Sequence, residues 1–329
     1  MNRIKYLACC VCLFAVYHAG AQLGQSSNYY YLDRSHSELD FSIKWMKSGK
    51  VTGTFDNIAG TIYYDPKKPS ELSATLKISI KTLSTGIPLR DAALMKEWFD
   101  TANHSFAYFE SLPLSKQDKP GKIKGNFTLK GITKVITLDV DKIEPPGLDY
   151  QNDPFVVVSG KTFINRKDFN VTMPTSRYET SANDMVAISD SVLIEFNLLG
   201  KQTSAKNAFN RINQPGSRNA LLYEAMKVAS PADIRQRLDS FYKTPAANPG
   251  QDFSAWYVGT YFLTTNDLQK AIPILLKGLE QFPNSPITHD AVMQAYYESK
   301  DTEEAKKWMN KLLALDPHHP NALEYKRRL

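Results

Sequence analysis

Apolar and polar residues alternate in short runs over residues 28–199 of the chain. Because successive side chains of a β-strand point to opposite faces, this alternation predicts strands that each have one apolar face. The clearest run covers residues 72–80. Its apolar face carries Leu72, Ala74, Leu76, Ile78 and Ile80.

Seven further runs of this kind are separated by clusters of Gly, Pro, Asn and Asp, such as residues 65–69 and 144–147. About eight antiparallel strands in one domain predict a mainly β fold, either a barrel or a sandwich. An eight-stranded barrel is just wide enough to hold one small or slender ligand. The seven runs cover residues 29–34, 38–46, 51–65, 122–130, 134–143, 155–165 and 186–199.

The alternation is interrupted at residues 89–99, where apolar side chains recur with helical spacing. Leu94, Met95, Trp98 and Phe99 would lie on one side of a short helix. Such a helix either crosses the mouth of the barrel or is an ordinary connection whose aromatic side belongs to the core. The spacing is compatible with both arrangements.

The pattern changes after Gly200. Residues 200–215 are polar and end at Pro215, which predicts a linker. Helical spacing follows over residues 216–329, so we expect an all-α second domain. Within it, similar residues recur at an offset of 34 positions. The pairs are Phe262 with Tyr296, Ala271 with Ala305, and Pro283 with Pro317.

A period of 34 residues is typical of tetratricopeptide repeats, which are helix pairs that stack into a solenoid. Two repeats fit residues 250–317, and a terminal helix is expected from Asn321. Residues 216–249 fit less well, because Arg237 replaces the small Ala of the pattern. Residues 216–329 would either bind a protein partner or pack on the barrel and on themselves.

The N-terminus has the pattern of a secretory signal. Arg3 and Lys5 precede an apolar run, and small residues at Ala19 and Ala21 suit a cleavage site. We therefore expect residues 1–21 to be a signal peptide and the mature protein to be periplasmic or secreted. No later apolar run approaches the length of a membrane span.

Removal of this segment lowers the formal charge from +6 to +4 and leaves no long basic run, which makes nucleic acid a poor candidate partner. It also removes every cysteine, because Cys9, Cys10 and Cys12 all lie within it. The mature chain would then have no disulfide, no thiolate nucleophile and no cysteine-based zinc site.

Residues that could perform chemistry are scarce. The barrel half, residues 28–199, has no Gly-x-Ser-x-Gly elbow, no Ser-x-x-Lys and no glycine-rich phosphate loop. His36 and His104 are the two histidines of the barrel half, and neither has the spacing of a metal site. We expect no metal, no cofactor and no enzymatic activity. A lipid-ester hydrolase with a catalytic set assembled across strands is a lower alternative.

Six motifs follow one another along the barrel half, namely residues 31–43, 53–60, Arg90-Asp91 with Leu94, 106–111, 125–134 and 165–171. Their order resembles the YceI-like family of exported, lipocalin-like barrels. Two departures stand out, because this chain has Ser105 where the family usually has Pro and Asn170 where it tends to have Gly. Asn tolerates a positive φ, so a tight turn at Asn170 is still expected.

The resemblance covers residues 28–199 and implies a protein that holds or carries a long-chain isoprenoid, of the quinone or polyprenyl type, in the lumen of its barrel. It does not extend to residues 216–329, which suggest as an alternative an envelope scaffold that acts through its repeats. On this basis we expect the wall and lid of the lipid site to be formed by Leu94, Met95, Trp98, Phe99, Phe106, Tyr108 and Phe109.

Two arginines are candidates for contact with a polar lipid head. Arg90 and Arg166 each stand beside or near an aspartate, and the planar guanidinium suits a carboxylate or phosphate ligand. The structural alternative is that Arg90 pairs with Asp91 or caps the following helix, and that Arg166 pairs with Asp168. For both arginines, the structural role is the stronger expectation.

Overall fold

The computed structural model describes residues 28–46, 48–113, 121–172 and 188–329. The expected signal peptide lies outside these residues. Strands predominate in the described part of the chain up to Lys201, and helices form the part after it. The change of pattern after Gly200 therefore marks the change of structure.

The strands join into one antiparallel sheet. Their bounds are β1 (Tyr29–Leu32), β2 (Glu38–Trp45), β3 (Gly49–Phe55), β4 (Ile58–Tyr63), β5 (Ser73–Ser79), β6 (Leu83–Ser84), β7 (Phe106–Ser111), β8 (Lys122–Leu129), β9 (Ile132–Leu148), β10 (Pro154–Asn165) and β11 (Ile188–Lys201).

The sheet closes into a barrel because β1 pairs with β4 on one side and with β11 on the other. β2 continues the line of β1 after a short turn, and likewise pairs with β11 and β3. β3 and β4 likewise share one strand position, which a bend divides. β5 and β6 share another, which a turn divides. The wall therefore has eight strand positions, and the expected antiparallel eight-stranded barrel is confirmed.

The alternation in β5 places its residues as the pattern predicts. Leu72, Ala74, Leu76, Ile78 and Ile80 all face the barrel interior. The intervening side chains point outward, and several of them are covered by the helical domain, as described below. One face of this strand thus builds the lumen while the other builds a domain contact.

Strand β9 runs through Pro145 and Pro146, which the sequence pattern places in a separating turn. The strand tolerates these prolines because this part of β9 pairs with β10 but not with β8. β8 pairs with β9 only as far as Asp139, whereas β10 continues to pair with it as far as Leu148. Proline is tolerated where no ladder hydrogen bond is required of its nitrogen.

The predicted short helix is confirmed. Helix α1 (Pro88–Ala93) continues into one π-helical turn, Leu94–Trp98. Proline at the first position of α1 suits a helix start, because the nitrogen there has no intrahelical partner. This helical segment connects β6 to β7 and lies over one end of the barrel.

The helical domain follows β11. Its bounds are α2 (Ala205–Ile212), α3 (Arg218–Lys227), α4 (Ile234–Tyr242), α5 (Ser254–Thr264), α6 (Leu268–Gln281), α7 (Pro286–Glu298), α8 (Thr302–Leu315) and α9 (Pro320–Lys326).

The expected linker at residues 200–215 is wrong, because it contains α2. Ser204 caps this helix by accepting a hydrogen bond from the backbone nitrogen of Asn207, at 3.3 Å. Ile212 is fully buried in the helical core. A polar sequence therefore conceals a short helix whose few apolar residues hold it against the domain.

Helices α5 to α8 pack as two successive pairs, α5 with α6 and α7 with α8. Ala271 of α6 and Ala305 of α8 are both fully buried, at the positions that the 34-residue offset relates. A side chain at Gly259 would collide with Leu275 of the paired helix, which shows how closely α5 and α6 approach. Small residues thus permit close packing inside the pair.

Helix α9 packs on the outer wall of the barrel. The ring of Tyr325 stacks on that of Tyr29 in β1, with centroids 3.9 Å apart. The Arg328 guanidinium lies over the ring of Tyr63 in β4, 3.1 Å from its centroid. Both tyrosines of the barrel are buried by this contact. The helical domain is therefore held against the barrel, one of the two arrangements left open by the sequence.

A buried polar network joins the same surfaces. The Glu324 carboxylate, which is fully buried, accepts hydrogen bonds from the hydroxyls of Ser73 and Thr75 in β5. Arg327 lies 3.3 Å from this carboxylate and donates to the Ser111 carbonyl of β7. A buried carboxylate must be paired in this way, since its desolvation is otherwise costly.

Candidate ligand-binding site

The barrel interior contains a cavity of about 430 Å³. Side chains from strands around the wall face it, and nearly all of them are aliphatic or aromatic. On β11, Ile188 and every second residue from Val192 to Leu198 line the cavity, and the six residue steps of the latter at roughly 3.3 Å each give a wall about 20 Å long. The interior is therefore an elongated apolar space rather than a core filled by side chains.

Three of the lining residues are polar, namely Arg90, Thr162 and Arg166. The Thr162 hydroxyl donates to the Thr137 carbonyl at 2.8 Å, so its hydrogen is already used within the wall. The remaining surface offers dispersion and hydrophobic contacts but few hydrogen bonds. A ligand that fits the lumen must be mostly hydrocarbon, because buried polar groups without partners are unfavourable.

The helical segment at residues 88–98, which we call the lid, forms one end of the cavity. Leu94, Trp98 and the following Phe99 line the lumen from above the strands. The Lys130 ammonium donates to the Trp98 carbonyl at 2.9 Å and to the Asn170 carbonyl at 2.8 Å. This lysine ties the end of the lid to two loops of the same barrel end.

Arg90 enters the lumen from the first turn of α1. Its Nε donates to the Thr85 hydroxyl at 2.7 Å, and its Nη2 donates to the Thr85 carbonyl at 3.0 Å. The Asp91 carboxylate accepts hydrogen bonds from the backbone nitrogen and from the hydroxyl of the same threonine. The expected Arg90–Asp91 pair or helix cap is thus replaced by a shared anchor on Thr85. The Nη1 of Arg90 has no hydrogen-bond partner among the described residues.

Arg166 is buried and held by the backbone. It donates to the carbonyls of Val171, Ser189 and Ile188 at 2.9, 3.1 and 3.4 Å. It also forms an ion pair with Asp190 at 3.1 Å, rather than the expected pair with Asp168. Its donors are used to join the ends of β10 and β11, so the geometry supports the structural role.

A comparison with known families now adds to this geometry. Residues 30–199, just over half of the chain, match the YceI-like domain. The chain belongs to the YceI-like family. The matched residues coincide with the strands of the barrel and its lid, so the apolar lumen lies within the family domain.

Individual relatives match the same region. Protein YceI of Salmonella newport is 30% identical over 138 residues, which cover 42% of this chain and 72% of that protein. The crystal structure of Burkholderia cenocepacia BcnA is 22% identical, covers 51% of this chain and 98% of that one, and has a TM-score of 0.42. A polyisoprenoid binding domain from Saccharophagus degradans is 22% identical, covers 54% and 100%, and has a TM-score of 0.39.

The residues expected at the site divide into two groups in the YceI-like barrel. Leu94, Trp98, Phe99 and Phe109 line the lumen, as do both arginines. Met95, Phe106 and Tyr108 do not line it.

The placement of Phe106 and Tyr108 corrects the expectation of a single aromatic wall. Strand β7 alternates, so Ala107 and Phe109 point inward while their neighbours point outward. Tyr108 stacks on His318 of the helical domain, with ring centroids 3.8 Å apart. Outside the barrel, the Lys77 ammonium lies 5.1 Å from the centre of the Phe106 ring. Aromatic content alone therefore does not identify the lining face.

Other lining residues were missed although the sequence contained their signal. Leu39, Phe41, Ile43 and Trp45 of β2 occupy alternate positions, and all four face the lumen. The parity within each predicted strand identifies this face better than the presence of aromatic residues does.

The turn after β10 keeps the geometry expected for the family motif. Asn165 accepts a hydrogen bond from the Lys167 backbone nitrogen at 3.0 Å and caps a short helical turn. Asn170 closes this turn with a φ of 51°, the left-handed conformation expected there. Asn thus serves at a position where Gly is more usual.

The described residues contain no group of three or more His, Cys, Asp and Glu side chains placed to hold a metal ion. His36 lies beside Asp33, with its Nδ1 at 2.9 Å from a carboxylate oxygen. None of the helices in the described part of the chain is long and apolar enough to cross a bilayer.

A second cavity, of about 610 Å³, lies between the YceI-like barrel and the helical domain. Tyr31 of β1 lines one side, and α5 and α7 form the other. Asp290 and Glu298 of α7 border it, and burial raises the pKa of both carboxyls. Asp290 accepts hydrogen bonds from Gln294, at 2.9 Å, and from Asn321. This space is far more polar than the lumen.

Proposed function

We propose that this YceI-like protein is an exported carrier or store that holds a long-chain isoprenoid in the lumen of its barrel. The observation that carries the proposal is the elongated apolar cavity of about 430 Å³. A prenyl chain offers many apolar carbons and almost no hydrogen-bonding groups, which matches this lining. Burial at roughly 25 cal/mol per Å² of apolar surface would supply the affinity.

The volume sets the scale of the bound tail. An engineered cavity of roughly 150 Å³ holds one benzene molecule, so a lumen nearly three times larger suits on the order of 15–20 carbon atoms. This corresponds to about three or four isoprene units. A longer quinone or polyprenyl tail would extend beyond the lumen, and its polar head would lie outside the apolar wall.

Arg90 is our candidate for contact with that head. It reaches the lumen beside the lid, and its Nη1 has no partner among the described residues. A guanidinium can donate to a phosphate, a carboxylate or a quinone oxygen. We do not assign this role to Arg166, because its donors are engaged by backbone carbonyls.

We also infer that the helix pairs after residue 216 are tetratricopeptide-like repeats attached to the carrier. The support is the 34-residue offset together with the buried Ala271 and Ala305 inside successive pairs. A protein partner for these repeats stays a prediction of the sequence. Export rests on the signal pattern of residues 1–21.

The test is organic extraction of the purified full-length protein, followed by mass spectrometry of the extract. We expect a long-chain isoprenoid in near-stoichiometric amount, or stoichiometric uptake of one by protein that has been stripped of lipid. Repeated recovery of lipid-free protein that takes up no isoprenoid would reject the proposal.

Matched variants show whether the lumen is the site. Ala74→Phe with Ala107→Phe places two rings inside the cavity, whereas Ala59→Phe places one on the exposed outer face of β4. The lumen variant should lose most of its bound lipid while the outer variant retains it. Equal lipid content in both, with unchanged circular dichroism, would place the lipid elsewhere.

A further inference from the structure

Exposed apolar side chains are concentrated at one end of the barrel. We call it the mouth end, where β2, β8 and β10 finish and the lid lies. Leu89 is 86% exposed, and Met46 and Ile87 are each 49% exposed. These three residues, which we call the rim, flank the lumen, since the adjacent Trp45 and Arg90 both line it.

Two further exposed apolar residues continue the surface along the outer wall. Val135 lies near the start of β9, and Phe163 lies near the end of β10. At the other end of the barrel, Tyr31 and Leu148 line the cavity shared with the helical domain, and among the described residues there Tyr150, 87% exposed, is the large apolar side chain that does not. The rim has no such covering element among the described residues.

The pairing of lysines also distinguishes the mouth end from the opposite end of the barrel. Toward the end opposite the mouth several lysines are paired, as in the Lys122–Asp139 and Lys201–Asp149 contacts, although the exposed Lys67 forms no ion pair with a described residue. Five exposed lysines of the mouth end form no ion pair with any described residue. They are Lys44, Lys50, Lys81, Lys96 and Lys134.

Acidic side chains at the mouth end do not cancel this charge. The described residues there include nine cationic and five acidic side chains, counting Arg90, Lys130, Arg166 and Lys167 with the five lysines. Asp190, one of the acids, is already paired with Arg166 and Lys167. The mouth end therefore combines exposed apolar residues with a positive charge.

We propose that the mouth end docks on an anionic lipid bilayer, with the rim inserted among the lipids and the five lysines at the headgroups. The inference rests on the proposed function, because it explains how an apolar tail could enter the lumen without crossing water. Basic residues near an anionic surface are attracted to it, and apolar insertion adds to that attraction. Stable attachment generally needs both contributions together.

The arrangement of the domains permits this contact. The helical domain packs on β1, β4 and β5 and borders the cavity at the opposite end. The lid and the rim therefore stay accessible while the helices face away from the bilayer.

The test uses the full-length protein and co-sedimentation with vesicles. One set contains about 30 mol% phosphatidylglycerol in phosphatidylcholine, and the other contains phosphatidylcholine alone. We expect binding to the anionic vesicles that weakens on raising the salt from about 0.1 to about 0.5 M, because exposed charges are screened. Binding should be at least tenfold weaker to the neutral vesicles.

Variants of the rim distinguish insertion of the rim from nonspecific adsorption of the protein to vesicles. Ile87→Asp with Leu89→Asp should weaken binding at least tenfold. Aspartate is well tolerated there, because Ile87 is the N-cap of α1 and Leu89 lies in its first turn. Tyr150→Asp, at a residue 87% exposed on the opposite end, is the matched control and should bind as the unchanged protein does.

Charge is tested in the same way. Lys44→Glu with Lys96→Glu should weaken binding, whereas Lys206→Glu with Lys243→Glu, on exposed helical-domain lysines that form no ion pair with a described residue, should not. The docking proposal is overturned if the unchanged protein binds neither vesicle set or if the control variants lose binding equally. The isoprenoid content of each variant is also measured by extraction. If the protein contains isoprenoid but does not bind vesicles, the docking proposal is refuted and the proposed carrier function is not.

Discussion

Arg90 and Arg166 both reach the lumen, but they differ in how their donors are used. Arg166 is held by backbone carbonyls of two chain segments, whereas Arg90 is anchored to Thr85 through two of its three nitrogens. Both were candidates for a lipid head from the sequence. Residue type alone could not separate them, because Arg90 bonds a threonine five positions away, whereas Arg166 also bonds Ile188 and Ser189, more than 20 positions along the chain.

Replacement of Arg166 should destabilise the barrel. Arg166→Met leaves several buried carbonyls without donors, so we expect the free energy of unfolding to fall by about 2–4 kcal/mol. Denaturant unfolding measures this loss. Lys167→Met is the neighbouring control, since this lysine is half exposed and should contribute less than about 1 kcal/mol. A loss no larger than that of the control would contradict the structural role.

Replacement of Arg90 should affect the ligand more than the fold. In Arg90→Gln, we expect at least tenfold weaker binding of an isoprenoid with a phosphate or carboxylate head, since a charge-assisted hydrogen bond is lost. Binding of an isoprenoid hydrocarbon without a head should change little. Titration with the two ligands gives the comparison, and an equal loss for both would remove Arg90 from the head-group site.

At the scale of the elements, alternation predicted much of the barrel and little of its outer contacts. The inward residues of β5 were correct because a two-residue period fixes one face of a strand. Its outward Ser73, Thr75 and Lys77 look like solvent-facing residues in the sequence. They instead meet the helical domain, including an ion pair of Lys77 with Asp316 at 3.1 Å. Such contacts are not local, so no periodicity reveals them.

The elements that were misjudged failed for related reasons. Helix α2 was taken for a linker because its sequence is largely polar, and its stability depends on packing against other helices. β9 was ended too early because prolines normally separate strands, whereas here they lie on an unpaired edge. In both cases the tertiary setting overrides the local preference.

The contact of α9 with the barrel gives a prediction at this scale. Glu324→Ala leaves Ser73, Thr75 and Arg327 without their buried partner, so we expect unfolding to become easier by about 3 kcal/mol. Glu303→Ala, at a side chain 90% exposed, should change stability by less than about 0.5 kcal/mol. Thermal unfolding of both variants gives the comparison. Equal transition temperatures would show that the network is dispensable.

For the whole molecule, the junction between the domains should be sensitive to pH. Burial raises the pKa of Asp290 above its ordinary value near 3.8. The folded protein then binds more protons than the unfolded chain above that value. The contribution of Asp290 to stability is therefore greatest at low pH and falls as pH rises through its folded pKa.

Asp290→Asn removes this titration. The stability of the variant relative to the unchanged protein should therefore increase as pH rises from about 4 to about 7. Denaturant unfolding at several pH values measures the difference, with Asp239→Asn as control. The Lys277 ammonium lowers the pKa of Asp239, so the opposite trend of that control is confined to the acid end of the series, at and below about pH 4, and its difference should be nearly constant above about pH 5. A constant difference for Asp290→Asn would contradict the shift.

The contact of Tyr29 with Tyr325 also bears on the order in which the protein is made. A ribosome delivers β1 and β5 long before α9, since the Ser73–Glu324 hydrogen bond joins residues 251 positions apart. Until α9 emerges, the outer wall around Tyr29 and Tyr63 is exposed to solvent and accessible to other proteins. The nascent barrel therefore passes through a period in which a chaperone can occupy the place that α9 later takes.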